Sequence, residues 1–225
     1  MTVAEFKNEF LFKYDAASNG GPDLNNYEIS VCLTQAVKDV VKDAYDSYES
    51  SEKSKRIVAP LLKNHSSSIS NNANDFWPGI TSLVSLPKDL QYIVLERVKL
   101  KNCIETTRIE IVDLDNLENA LNNSFKRPNK RKVVRVEYNE TDGEIFSTEE
   151  IKSYSIRYIK KPSPIIVSDF ALDQDLIGDE TLAGLNIITN TELPEFVHDD
   201  IIQKAVIIAI KTTRQNSLES QINIK

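Results

Sequence analysis

Two histidines and two cysteines are all that this chain of 225 residues offers for imidazole or thiol chemistry, so each can be weighed in turn. His198 lies in "ELPEFVHDDIIQKAVIIAIKTT", residues 192–213, among the carboxylates Glu192, Glu195, Asp199 and Asp200. A helical metal site needs ligands about one turn apart, but the residue four after His198 is Ile202, and sequence neighbours on a helix point in different directions. The segment reads as the polar first turn of a buried helix, with His198 a surface or interface histidine. His65 lies in a Ser-rich stretch, and the chain has no G-x-S-x-G elbow or activated-cysteine pattern. "DQDLIGDETLAG" places Asp173, Asp175 and Gly178 at positions 1, 3 and 6 of a calcium loop. The match fails at Ile177 in position 5 and at Gly184 in position 12, where a bidentate Glu is required. Six glycines leave no phosphate-cradling motif. Cys32 and Cys103, each flanked by apolar residues, read as free thiols of a reducing cytoplasm. The reading is of no catalytic, metal or cofactor site, and of no enzyme.

Charge gives a stronger signal. Net charge is −7, yet "FKRPNKRKVVR" carries Lys126, Arg127, Lys130, Arg131, Lys132 and Arg135. From Pro162 through Gln203 there is no Lys or Arg, against nine carboxylates. Such asymmetry fits solvated faces of opposite sign or complementary surfaces between copies of one chain. For the basic run itself a protein contact, a plain solvated loop and a nucleic-acid contact all stay open. No stretch approaches the ~20 apolar residues of a membrane span, and the N-terminus has no signal-peptide pattern, so a soluble, unsecreted protein is expected.

The elements that carry these residues follow from periodicity. Thr2 and Glu5 make a capping box ahead of Val3, Phe6, Phe10 and Tyr14, predicting a first helix that "SNGGPDL" ends through Gly20, Gly21 and Pro22. A second helix starts near Asn25, with Glu28 at its third position, and its stripe is Tyr27, Val31, Thr34, Val37, Val41, Ala44 and Tyr48. A shorter one covers "SEKSKRIVAPLLK", interrupted at Pro60. "NHSSSISNNANDFWPGI" lacks periodicity and reads as a mobile loop anchored by Phe76 and Trp77. From about residue 80, short β-branched segments predict antiparallel strands, with Asp142-Gly143 as a hairpin turn and one small helix capped by Asp115. Beyond Pro162 and Pro164 the chain should be extended, then acidic and irregular. The last helix has Pro194 at its first position and a core stripe of Phe196, Val197, Ile201, Ala205 and Ile208. Val206, Ile207 and Ile210 make it apolar nearly all round, so it needs partners on every side.

The expected fold class is therefore α+β, with N-terminal long helices packing with a C-terminal apolar helix and a central antiparallel β region. The expected divisions are a helical region 1–63, a Ser/Asn-rich loop 64–79, a β region 80–167 with one short helix, an acidic irregular segment 168–192, and a helix and tail 193–225 packing with 1–63.

Over most of its length the sequence resembles the structural ring or adaptor proteins of the head-to-tail region in crAss-like and related short-tailed bacteriophages. The resemblance lies in "EFKNEFLFKYD", "PDLNNYEISVCLTQAVKDVVK", "SSEKSKRIVAPLLK", "VSLPKDLQYIVLERVKL", "NSFKRPNKRKVVRVE", "YSIRYIKKPSPIIV" and "ELPEFVHDDIIQKAVIIAI". It implies a non-catalytic virion protein at the head-tail junction, assembled in the bacterial cytoplasm as a twelvefold ring. It implies a portal protein and other neck or tail ring proteins as partners, DNA passing through the lumen, and no membrane. Under this reading Lys126, Arg127, Lys130, Arg131 and Lys132, with Ile201, Val206, Ile207 and Ile210, are the interface residues. The basic loop would meet the carboxylates after Pro162 across subunits or face the next ring. Another tail component (tail tube, fibre attachment or stopper) and a DNA-binding accessory protein are the alternatives.

Overall fold

The computed structural model describes residues 1–19, 21–67, 69–73, 77–137, 139, 141–172 and 181–222, without the side chains of 73 and 214–222. The calcium-loop positions Asp173, Asp175 and Gly178, together with Gly20 and Phe76, lie outside them. The chain divides into two compact units, Met1–Leu61 with Pro162–Lys225, and Leu62–Lys161.

The first unit is helical. In α1 (Val3–Ser18) the Thr2 hydroxyl accepts from Glu5 N–H and the Glu5 carboxylate from Thr2 N–H, which holds the first turn and lets Phe6, Phe10 and Tyr14 face inward. The helix ends on Asn19 in the left-handed region, φ 52°; an asparagine, rather than the expected glycines, supplies that conformation. The second helix, α2 (Asn26–Asp46), is capped by Asn25 and Glu28 in the same reciprocal way. Thr34, Val37, Val41 and Ala44 of the expected stripe are buried, the buried face widens to take in Ile29, Leu33, Ala36 and Val40, and Val31 is exposed. The short α3 (Glu52–Val58) is capped by Ser51 and runs into a 3₁₀ turn at Ala59–Leu61. The long α5 (His198–Ile222) follows a 3₁₀ turn at Glu195–Val197 and packs on α1 and α2 through Ile201, Ile202, Ala205, Val206 and Ala209. Phe196, expected in the core, is exposed because that 3₁₀ turn aims it outward. Between them, residues 165–170 and 186–189 form an extended strap against α2. Thr34 both accepts from Ile165 N–H (3.1 Å) and donates to its carbonyl (3.3 Å), and Ser30 accepts from Val167 N–H (3.1 Å). Those side chains replace the ladder partners that the strap backbone would otherwise lack.

The second unit corrects the expected fold class. It is one eight-stranded sheet, in the order β1-β8-β4-β5-β6-β7-β3-β2, curled into a nearly closed barrel, so the chain is mixed α/β with helices near both ends rather than a long-helix assembly with an antiparallel insert. The strands are β1 (Leu62–Ser67), β2 (Ile69–Ala73), β3 (Ile80–Ser85), β4 (Leu90–Leu100), β5 (Thr106–Ile111), β6 (Lys132–Glu137), β7 (Asp142–Ser147) and β8 (Ile151–Lys160). Two findings overturn the expectation. The β5–β6 pair is parallel, joined by a crossover that carries α4 (Leu117–Asn122). The Ser/Asn-rich segment supplies β1 and β2 instead of a loop. It closes the barrel with polar side chains: Asn71 bonds both the N–H and the carbonyl of Ile151 (3.2 Å each), and Ser67 accepts from Ser85 N–H (3.0 Å). Apolar alternation is therefore weak just where closure depends on backbone satisfaction.

Two local readings also change. Asp142 and Gly143 belong to β7, and the preceding turn is organised by Asn139 Oδ1, which accepts from Thr141 and Asp142 N–H (2.8 and 2.7 Å). Asp115 lies inside a 3₁₀ turn, Leu114–Asn116, with no side-chain cap bond at either its start or that of α4. The barrel interior is filled by Val98, Leu100, Val133, Ile145, Tyr154 and Ile156; Val134, Val136 and Phe146 face outward beneath Leu121 and Trp77.

Candidate functional site

The basic run divides at β6. Arg135 is 0% exposed inside the barrel, its Nε 2.7 Å from Glu96 Oε1 and its Nη1 2.9 Å from Glu137 Oε1, contacts that are close ion pairs rather than well-aligned hydrogen bonds. Tyr154 donates its hydroxyl to the same Glu96 oxygen at 2.5 Å. Burial pushes the Glu96 carboxyl up despite the pull of Arg135, and burial beside Glu96 pushes the Tyr154 phenol far up. Strand alternation carries the signal for this cluster: Val133 and Arg135 share a face on β6, as Glu96 and Val98 do on β4. Glu96 borders an opening of about 510 Å³ where β4 and β5 part, their ladder being limited to Arg97–Lys99 against Thr106–Arg108. The cluster couples strands β4, β6 and β8.

The rest of the run forms a tip on the return of the crossover. The Asn123 carbonyl accepts from Lys126 and Arg127 N–H (3.0 and 2.8 Å), its side chain accepts from Phe125 N–H (2.9 Å), and Asn129 pairs with Lys132. Lys126, Arg127, Lys130 and Arg131 are exposed. Lys130 lies 3.3 Å from Glu149, and Lys132, half-buried, lies 2.8 Å from Glu110. Phe125, at 92% exposure, stands among these cations.

On α5 the structure buries Ile201 and Val206 within the helical unit, half-buries Ile210 and leaves Ile207 at 51% exposure. Ile207 borders a groove of about 320 Å³ between α2, α3 and α5, crossed by the Lys204–Asp43 and Lys53–Asp200 ion pairs. His198 is not a surface residue. It is 5% exposed, its ring 4.9 Å from that of Phe6, with Nε2 3.1 Å from the Leu193 carbonyl. The carbonyl is an acceptor only, so Nε2 carries the proton. Burial lowers its pKa, against the bond to Leu193. Asp199 pairs with Lys13, which holds its carboxyl below the usual range. His198, Asp199 and Asp200 thus each serve the helical unit.

Cys32 and Cys103 are free thiols, and burial, with Glu28 nearby, pushes the Cys32 thiol up to about 11, away from reactivity. Among the described residues no three metal-ligating side chains converge, and no helix is long and apolar enough to cross a membrane.

The family model for phage tail ring protein 3/4 matches residues 1–221, spanning both units. The chain is similar to ring protein 4/5 of Bacteroides phage crAss001, 28% identical with 100% of this chain and 98% of that protein covered. It is also similar to ring protein 3 of the same phage, 27% identical with 85% of this chain and 87% of that protein covered.

Proposed function

The chain belongs to the phage tail ring protein 3/4 family, and from that premise we propose that it is a structural subunit of a bacteriophage tail that closes with copies of itself into a ring. The observation that carries the reading is the family match across residues 1–221, which takes in the helical unit and the barrel together. The chemistry agrees with it: the buried Arg135–Glu96–Tyr154 cluster ties strands together, and the His198 turn ties helices together. No catalytic step and no cofactor enter the role.

In its finer form, the reading puts the ring in the portal-to-tail connector, in twelve copies, extending the DNA channel and docking the tail. Its neighbours are the portal and other tail ring proteins, and its place is the virion after assembly in the host cytoplasm. The exposed members of the predicted interface set, Lys126, Arg127, Lys130, Arg131 and Ile207, are available for contacts between copies or between layers. Closed heterologous contacts use two different patches on each subunit, and many modest contacts add around the circle.

Sedimentation velocity and negative-stain imaging of the purified chain test this, alone and mixed with the portal and the other ring proteins encoded with it. Rings, free or stacked on a partner, are expected. A chain that stays monomeric in every mixture overturns the reading, and rings that stack on tail components but never on the portal overturn only the connector placement.

A further inference from the structure

The strap of the helical unit has an outer side that its own fold leaves open. Ile187 and Ile188 are 56% and 59% exposed, and Leu172 and Leu185 are exposed beside them, although the same strap buries Ile165, Ile166 and Phe170 against α2. Asp169 and Glu192 flank these residues, and no Lys or Arg occurs from Pro162 through Gln203. Asp169 accepts from Ala171 N–H (3.1 Å) and Glu192 from the Ser163 hydroxyl (3.3 Å), while Glu195 pairs with the Met1 amine, Asp199 with Lys13 and Asp200 with Lys53.

The tip has the complementary character. Isolated apolar side chains on a surface are ordinary. Phe125 is different because Asn123 fixes it in a turn, its side-chain oxygen accepting from Phe125 N–H and its carbonyl from Lys126 and Arg127 N–H; the same tip carries Lys126, Arg127 and Arg131, none of which pairs with a carboxylate among the described residues. An exposed aromatic residue in a basic turn has the composition of a protein contact, where aromatic residues and Arg are enriched at the buried centre.

We propose that the basic tip of one copy docks on the strap of the next, with Phe125 seated among Ile187, Ile188 and Leu172 and the cations facing Asp169 and Glu192. This rests on the ring reading and adds its contact surfaces. Opposite charge and shared apolar character on two separate surfaces of one chain make the contact heterologous, the kind that closes into a ring. A net charge of −7 disfavours a polyanion as the occupant of the tip.

Two double variants test it. Arg127→Glu with Arg131→Glu makes the tip acidic; Ile188→Lys with Glu192→Lys makes the strap basic. Each variant, alone, is expected to self-associate at least about tenfold more weakly than wild type by sedimentation, since facing like charges cost several kcal/mol. Mixed in equal amounts they should assemble again, because each reversed surface then meets its complement and the two chains alternate. Phe125→Ala should weaken assembly in the same direction. Tip-reversed protein that assembles like wild type overturns the docking and leaves the ring reading standing. Loss in both variants without recovery on mixing also overturns it, as does a tip-reversed chain that assembles normally but loses binding to duplex DNA, which reassigns the tip to phosphates. Failure of wild type to assemble alone and with its neighbouring ring proteins removes the ring reading and this contact together.

Discussion

The helical unit and the barrel solve the same packing problem with opposite materials. The centre of the helical unit is apolar, Phe6, Phe10, Leu33, Val37, Ile201 and Ile202, and among its buried polar groups Ser30, Thr34 and His198 each bond backbone while Ser54 bonds the Ser47 hydroxyl. The barrel instead buries a charge, Arg135, and answers it with Glu96 and Tyr154. A helix satisfies its own backbone, so its interior needs only apolar volume and a few caps. A barrel of short strands must also fix register and curvature. A cluster shared by β4, β6 and β8 is unsatisfied in any slipped pairing, which specifies register at some cost in stability.

The largest effects are expected where that contrast is violated. Ile201→Asp puts an unpaired carboxylate at a fully buried position on α5 and should remove more than about 4 kcal/mol, unfolding the helical unit or leaving the protein insoluble. Ile207→Asp, on the exposed side of the same helix, should stay within about 0.5 kcal/mol of wild type in urea unfolding. Equal losses from the two would mean that α5 is not seated as described.

Next is the barrel. Arg135→Met leaves Glu96 buried without its counter-charge and should cost about 3–5 kcal/mol. Adding Glu96→Leu should recover most of that loss, because the double change replaces the pair by apolar volume. Urea titrations with a fluorescence probe in the barrel, such as Trp77, read both. A single variant as stable as wild type would show that the buried charges are dispensable, and the contrast between the two interiors would reduce to composition.

The helical unit was largely legible from the sequence because its signals are local. The boxes at Thr2–Glu5 and Asn25–Glu28 and the spacing of Phe6, Phe10 and Tyr14 need no distant partner to be read. The barrel was not, since its closure is non-local. Nothing within "NHSSSISNNA" reveals that Asn71 will hold the backbone of Ile151, or that β5 will find β6 in parallel across a 20-residue excursion. Arg135 was hidden for a related reason: it stands at the end of a basic run in which Lys126, Arg127, Lys130 and Arg131 are exposed and Lys132 is half-buried, and only strand alternation marks it as the inward member. The tip was visible as charge, but the exposure of Phe125 required coordinates.

Smaller is the effect of the strap's attachment. Thr34→Val keeps the shape of the side chain and removes the hydroxyl that serves both backbone groups of Ile165, so it should cost about 1–3 kcal/mol. Amide exchange should accelerate at Ile165 and at Ile166 and Thr189, which pair across the strap. Faster exchange along α2 as well would place the loss in the helical core instead of the strap.

The smallest effect probes the helical interior by pH. Burial lowers the His198 pKa, so the unfolded chain, with an ordinary value of about 6.5, binds a proton more readily than the folded one. Stability therefore rises with pH over that interval: the His198 contribution is fully present above about pH 6.5 and is lost as pH falls through the lower, folded value. His198→Gln keeps a donor for the Leu193 carbonyl but cannot titrate, and should flatten the part of the pH–stability curve just below about pH 6.5. Asp199, whose carboxyl is lowered by Lys13, loses its contribution only in more acidic solution, below the ordinary carboxylate range, so the two steps are separable. A variant whose slope matches wild type would mean that His198 carries its proton in the fold, against its burial beside Phe6.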